Sequence, residues 1–177
     1  MQPSNTHAPL ARLALKAGRS VVCEKPLAAT LVDAHELAAL AASNSAVTGV
    51  PFGYRDDQTV REARQRIQRG DVGQVWLMHG SHLQDWLSSS DRRQLARQRR
   101  TRGVPLMSSA NARLISLPPG HPQGPQDCFK AIVGDVYAAI GSDTPDGLPS
   151  FSDGLRAARI TRAVLDSAAQ SAWVDVA

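Results

Sequence analysis

A chain of 177 residues with 42% hydrophobic and 20% charged residues has the composition of an ordinary soluble protein with a hydrophobic core. The net charge of +4 is local, because six arginines lie between Arg92 and Arg102 and the remaining residues are mildly acidic. No apolar run approaches the roughly 18 residues of a membrane span, and no signal segment opens the chain. We therefore expect a cytoplasmic protein without a membrane partner. The two cysteines have neither disulfide nor metal-ligand spacing, so no metal site is predicted.

The first predicted elements alternate between helix and strand. Residues 7–17 form a helix that Gly18 closes, with its core face at Leu10, Leu13, Ala14 and Ala17. Residues 20–23 form a short run that contains β-branched residues, which is typical of a buried parallel strand. Thr30 caps a second helix, and residues 47–50 form a second strand. The order α-β-α-β predicts half of a doubly wound sheet.

The first predicted strand runs into Glu24, Lys25 and Pro26. In open α/β sheets ligands bind at the carboxyl ends of the strands, and a lysine there can hold a substrate hydroxyl and relay its proton. Pro26 fixes φ and removes a donor, so the chain leaves the strand in one direction and aims the lysine. We predict Lys25 as a catalytic residue. The alternative is a solvated Lys-Glu pair at the end of a strand, and the residues alone leave it open.

Two stretches of sequence, PSNTHAPL at residues 3–10 and AGRSVVCEKPLA at residues 17–28, closely resemble the Gfo/Idh/MocA family. This family contains two-domain NAD(P)-dependent oxidoreductases of sugars and polyols. Its Glu-Lys-Pro motif closes the nucleotide-binding domain, and the lysine of the motif lies beside the nicotinamide and the reacting carbinol. The resemblance implies NAD or NADP as cofactor, a sugar or polyol as substrate, Lys25 as the catalytic residue, and a cofactor-binding set of Ser4, His7, Glu24, Lys25, Pro26 and Arg55.

The later part of the chain resembles the second domain of the same family. An amphipathic helix at residues 59–70, with Val60, Ala63 and Ile67 inward, is predicted to lead into a strand at residues 74–83. Trp86 and His121 lie in segments that resemble substrate-side segments of the family. The resemblance therefore implies that both bind substrate. The alternatives are a core or interface aromatic for Trp86 and an ordinary loop histidine for His121.

Two further helices and a strand complete the predicted fold. The first helix spans residues 127–140, and the second opens at residues 151–156 with Ser152 as its N-cap and Ile160, Val164 and Leu165 inward. Residues 173–176 form the closing strand. The predicted class is α/β. The second half of a Rossmann-type nucleotide-binding domain occupies residues 1–55, and an incomplete α/β C-terminal domain occupies residues 56–177. Unpaired strand edges would make such a chain marginally stable or self-associating, and a homo-oligomer through the C-terminal sheet is one expected assembly.

Residues 91–103 interrupt the resemblance with an irregular basic segment. Arg92–Arg102 could bind phosphate backbones, and because no aromatic residues lie between the arginines for base stacking, such binding would be independent of nucleic-acid sequence. A nucleic-acid-binding protein is therefore the least favoured of the alternative functions. A second interpretation is a frameshift. Residues 91–98 can be encoded by codons that, read one base later, give Thr-Asp-Gly-Asn-Trp-Arg-Val, close to a segment of the family. The DNA sequence at this point decides between the two.

Two features of the family are missing from the sequence. None of the 13 glycines stands in the Gly-x-Gly-x-x-Gly spacing that holds a pyrophosphate, and the Asp-x-Gly-x-His-x-x-Asp helix that completes the proton relay is absent. The resemblance predicts an oxidoreductase that moves hydride between NAD(P) and a sugar or polyol carbinol. The missing features predict weak cofactor binding and favour the alternative, a truncated and internally deleted remnant without catalytic activity.

Overall fold

The computed structural model describes residues 3–77, 79, 124–143 and 145–176. Its elements in chain order are α1 (Ser4–Lys16), β1 (Val21–Val22), α2 (Leu31–Ala42), β2 (Thr48–Gly49), a 3-10 helix (Gly53–Asp56), α3 (Gln58–Gln68), α4 (Pro125–Ile140) and α5 (Phe151–Gln170). Among these helices, none is both long enough and apolar enough to cross a membrane.

Strands β1 and β2 form a parallel pair, with Val21 opposite Thr48 and Val22 opposite Gly49. The amides of Val21 and Cys23 donate hydrogen bonds of 2.9 Å to the carbonyl oxygens of Val47 and Gly49. Parallel strands require a crossover connection, which α2 provides. The predicted order of helix and strand, and with it the α/β class, is confirmed in residues 3–50.

Local sequence signals set the ends of the first two helices. Gly18 follows α1 with a φ of 68°, in the left-handed region where glycine is favoured after a helix. Thr30 precedes α2, and its hydroxyl oxygen accepts a hydrogen bond of 3.1 Å from the Asp33 amide, as predicted. Arg12 of α1 then reaches Asp33 at 3.1 Å and Glu36 at 2.6 Å, which ties the two helices together.

The buried face of α1 differs from the predicted one. Leu10 and Leu13 are 54% and 67% exposed, whereas His7, Ala8, Ala11 and Leu15 are buried. The apolar residues of this helix fit two stripes at helical spacing. The stripe with the small residues Ala8 and Ala11 faces the core, where helix and sheet can approach closely. Leu37 of α2 also lies in this core.

Helix α5 returns to the N-terminal part of the chain. Two compact units are found, one of Met1–Asp56 with Cys128–Ala177 and the other of Asp57–Asp127. This grouping differs from the predicted division at residues 55 and 56. The physical reason is that Phe151 is fully buried in the same core as Leu15, Leu37 and Val50, and α5 packs along α2.

Several predicted details of the later elements are corrected by the structure. Ser150, and not Ser152, caps α5, and the apolar residues Ile160, Val164 and Leu165 are exposed. In α3 the buried residues are Arg61 and Glu62, and not Val60, Ala63 and Ile67. Residues 74–77 and 173–176, predicted as parts of strands, have no strand structure. The helices of this chain carry apolar residues on more than one face, so the spacing of apolar residues alone does not identify the face that packs in the core.

Candidate functional site

The Glu24-Lys25-Pro26 turn lies just beyond the end of β1, at the carboxyl end of the parallel pair. All three residues are exposed, and the Lys25 amide donates a hydrogen bond of 3.2 Å to Glu24 Oε2. The peptide bond between Lys25 and Pro26 is cis. An exposed amine thus stands where open α/β sheets bind their ligands.

His7 contacts the backbone of this turn. Its ring is buried, and Nδ1 lies 2.8 Å from the Pro26 carbonyl oxygen, across 19 residues of sequence. A carbonyl oxygen can only accept, so Nδ1 carries the hydrogen and donates it. The resemblance implied that His7 contacts the cofactor. In the structure its resolved contact is with the backbone of the turn that presents Lys25.

Cys23 and Leu27 flank the turn in the sequence, and their side chains lie in the core. Both are buried, and the Cys23 thiol donates to the Leu27 carbonyl oxygen over 3.6 Å. Burial, with a smaller contribution from the Glu24 charge, raises the pKa of the Cys23 thiol to about 11. The thiol is therefore protonated at neutral pH and packs as a small apolar group with a weak donor.

Arg55 lies in the 3-10 helix that follows β2, and its guanidinium contacts two other side chains. Nη1 donates to Asp153 Oδ1 at 2.7 Å, and the guanidinium carbon lies 5.7 Å from the centroid of the Phe52 ring. The other carboxylate oxygen of Asp153 accepts hydrogen bonds from the amide and hydroxyl of Ser150, at 2.9 and 3.0 Å. Arg55 is exposed but has a defined direction.

The first turn of α5 contacts the chain after both strands. A side chain at Gly154 would approach Leu27 to 2.9 Å and Val50 to 3.2 Å, so glycine permits the helix to lie this close. The Val50 amide also donates to the Pro149 carbonyl oxygen at 2.8 Å. Residues that follow β1 and residues that follow β2 are thus packed against one helix terminus.

The structure connects some of the predicted site residues and leaves others outside its described part. Glu24, Lys25 and Pro26 form one turn, His7 contacts it, and Ser4 is the first residue of α1. Arg55 lies in the loop that follows β2. Trp86, His121 and the segment Arg92–Arg102 lie outside the described residues. Within the described part, no cluster of three His, Cys, Asp or Glu residues could hold a metal ion.

Asp153 was not predicted as part of the site. The signal that could have found it is the Ser-x-x-Asp spacing of Ser150 and Asp153, which is typical of a helix N-terminus. That signal identifies the cap. It does not identify the contact with Arg55, because 98 residues separate the two partners.

Comparison with known proteins shows that the N-terminal residues are similar to a family of oxidoreductases. Residues 1–52 match the GFO_IDH_MocA family, an oxidoreductase family with an NAD-binding Rossmann fold. Levoglucosan dehydrogenase of Pseudarthrobacter phenanthrenivorans is 34% identical over 84 residues, which are 48% of this chain and 22% of that protein. Inositol 2-dehydrogenase 1 of Saccharopolyspora erythraea is 33% identical over 85 residues, 45% of this chain and 24% of the relative.

Solved structures share the fold. An oxidoreductase from Sinorhizobium meliloti superposes with a TM-score of 0.79 at 19% identity, over 99% of this chain and 78% of that one. An inositol dehydrogenase homologue from Azotobacter vinelandii, complexed with NADH and myo-inositol, gives a TM-score of 0.71 at 19% identity, over 98% and 76% of the two chains. Residues 1–52 thus match the Gfo/Idh/MocA family, in agreement with the resemblance noted from their sequence, and the chain spans about a quarter or less of the length of these curated relatives.

Proposed function

We propose that the chain carries the nicotinamide side of an NAD(P)-dependent oxidoreductase site, where Lys25 acts on a carbinol of a sugar or polyol. The observation that supports this most directly is the exposed Lys25 amine at the carboxyl end of the parallel pair, inside the residues that match the family. The names of the relatives, levoglucosan dehydrogenase and inositol 2-dehydrogenase, support a polyhydroxylated substrate.

The residues present fit one end of the cofactor. Lys25 and Glu24 offer a cation, an anion and exposed backbone beside a buried apolar core, a setting suited to a nicotinamide riboside. We assign Arg55, in the 3-10 helix that follows β2, as a second cofactor-side group on the basis of the sequence resemblance. The Gly-x-Gly-x-x-Gly spacing is absent from the sequence, so we assign no residues to the pyrophosphate.

Hydride transfer is the chemistry that a bound nicotinamide supplies. During oxidation, the neutral amine of Lys25 would accept a hydrogen bond from the substrate hydroxyl and then take its proton. During reduction, the ammonium form of Lys25 would return that proton to the substrate oxygen. His7 keeps the Pro26 carbonyl in place and with it the direction of the preceding lysine. Orientation of the amine is the main contribution of the fold, because proton transfer requires hydrogen-bond distance between donor and acceptor.

Titration of the purified chain with NADH and NADPH, followed by nicotinamide fluorescence, tests the proposal. We expect saturable binding and a loss of about tenfold in affinity for Lys25→Ala, the size of a lost hydrogen bond to a charged group. Lys16→Ala is the matched control, because Lys16 is an exposed lysine in the last turn of α1. Equal effects of the two substitutions would contradict a specific role for Lys25.

The alternative is a chain without catalytic activity, which the absent Gly-x-Gly-x-x-Gly spacing favours. It predicts no saturable binding of either coenzyme up to millimolar concentrations. The same titration therefore separates the two. Where binding is found, the coenzyme with the higher affinity identifies the physiological choice between NAD and NADP, and a screen of sugars and polyols follows.

A further inference from the structure

The parallel pair of strands has one covered edge and one open edge. On the outer side of β2, the Val50 amide donates to the Pro149 carbonyl oxygen at 2.8 Å, and the Phe151 amide donates to the Thr48 hydroxyl at 3.3 Å. The residues that begin α5 therefore cover the edge of β2. A further strand has its place beside β1.

Val22 presents the hydrogen-bonding groups of the open edge. The amides on either side of it, of Val21 and Cys23, both donate to carbonyl oxygens of the second strand segment at 2.9 Å. Backbone groups of successive strand residues point in opposite directions, so the N–H and C=O of Val22 point away from β2. No described residue forms a hydrogen bond with either group, and Val22 is 42% exposed. Such an edge is a template for another strand.

Helix α1 has an exposed apolar residue on the same side as this edge. Helix α2 packs against both α1 and α5, and α5 begins at the edge of β2, so α1 lies toward the edge of β1. Arg12 marks the side of α1 that faces α2. Leu10 precedes it by two positions, about 200° around the helix axis, and is 54% exposed. Leu10 therefore faces away from α2, on the side of the open edge.

We propose that this side of the protein is an interface between two copies of the chain, with Val22 on a two-fold axis perpendicular to the sheet. In an antiparallel pair, residues opposite each other on the axis exchange both N–H···O bonds, so each Val22 satisfies the other. The same axis keeps both α1 helices on one face of the joined sheet and brings their Leu10 side chains toward each other. One symmetry operation thus covers the backbone groups and the apolar side chain, which favours a second copy over an unrelated strand.

This register also places two like charges opposite each other. Arg19 and Lys25 each lie three residues from Val22, so Arg19 of one copy stands opposite Lys25 of the second copy, and both are exposed. Like charges directly opposite in a sheet are destabilising. The dimer is therefore expected to be weak and reversible, and a change of sign at Arg19 should strengthen it. The inference concerns a surface beside the Lys25 turn and does not rest on the proposed coenzyme binding.

Sedimentation equilibrium of the full chain over a range of concentrations tests the proposal. Val22→Pro removes the N–H on the axis but no bond of the β1–β2 pair, and we expect it to raise the dimer dissociation constant at least about tenfold. Leu10→Ser should raise it about fivefold through lost apolar burial. Arg19→Glu should lower it about threefold, because glutamate then stands opposite lysine.

Leu165→Ser is the matched control, because Leu165 is 61% exposed on α5, outside the proposed interface, and should leave the dissociation constant unchanged. Hydrogen exchange gives a second readout in the unchanged chain. The Val22 amide should become protected as concentration rises, whereas the Val21 and Cys23 amides are bonded within one copy and should change little. A chain that stays monomeric, or a dimer that Val22→Pro or Leu10→Ser leaves equally tight, would overturn the proposal. Weaker association of Arg19→Glu, or a Val22 amide whose exchange ignores concentration, would also overturn it.

Discussion

At the scale of single residues, His7 shows how the site depends on a buried contact. His7→Leu keeps most of the side-chain volume and removes the donor to the Pro26 carbonyl, whereas His7→Asn keeps an N–H donor near the position of Nδ1. We expect the leucine variant to lose about 1 kcal/mol of unfolding free energy, the net value of one hydrogen bond. Urea unfolding followed by circular dichroism measures this loss.

The same pair of variants separates packing from positioning. If the hydrogen bond directs Lys25, NADH affinity falls in His7→Leu and is largely retained in His7→Asn. This holds even if His7→Asn is the less stable of the two variants because of its smaller side-chain volume. An affinity that follows stability across both variants would show that His7 acts only through packing.

Sequence reasoning could nominate Lys25 as a candidate because the Glu-Lys-Pro motif is local, and adjacent residues present their chemistry together. Long-range contacts of the candidate residues could not be predicted in this way. His7 reaches Pro26 across 19 residues, and Asp153 reaches Arg55 across 98. Each contact depends on how whole helices pack, which spacing within one segment does not determine.

At the scale of secondary-structure elements, the different surroundings of two helical glycines predict opposite effects on stability when each is replaced by alanine. Gly154 of α5 lies close to the residues after both strands. In Gly154→Ala the new methyl group would lie 2.9 Å from Leu27 Cδ2 and 3.0 Å from Leu27 Cβ, too close for ordinary packing. We expect a loss of about 1–3 kcal/mol in unfolding free energy, typical of overpacking in a core.

Gly134→Ala is the matched control within α4, because no atom lies within 4 Å of its added methyl group. Alanine is favoured over glycine in a helix interior, so this variant should gain up to about 1 kcal/mol. Urea unfolding of both variants provides the measurement. A destabilised Gly134→Ala, or a neutral Gly154→Ala, would contradict the packing described for these two helices.

The elements themselves were predictable to different degrees. Capping by Thr30 and the glycine after α1 depend on local hydrogen bonds and backbone angles, and both were predicted correctly. The core faces of α1 and α5 were not, because apolar residues such as Leu13 and Val164 stand at helical spacing but are exposed. Which of two possible stripes becomes buried is decided by the partner element.

At the scale of the whole molecule, the return of α5 to the N-terminal residues makes the stability of β1 and β2 depend on residues more than 100 positions later. The Phe151 amide lies 3.3 Å from the Thr48 hydroxyl, and its ring is fully buried in the core that contains Leu15 and Val50. The unit of Met1–Asp56 and Cys128–Ala177 should therefore unfold as one cooperative structure.

Phe151→Ala tests this dependence. Loss of a buried phenylalanine costs about 3–5 kcal/mol, a large part of the stability of a typical domain. We expect hydrogen exchange at the amides of Val21 and Cys23 to accelerate with the loss of global stability, because both amides are bonded within the unit that Phe151 completes. Trp173→Ala is the control, since the Trp173 side chain is fully exposed and its removal should change stability by less than about 0.5 kcal/mol. Unchanged exchange at Val21 and Cys23 in Phe151→Ala would mean that the N-terminal residues fold without α5, as a division at residue 55 predicts.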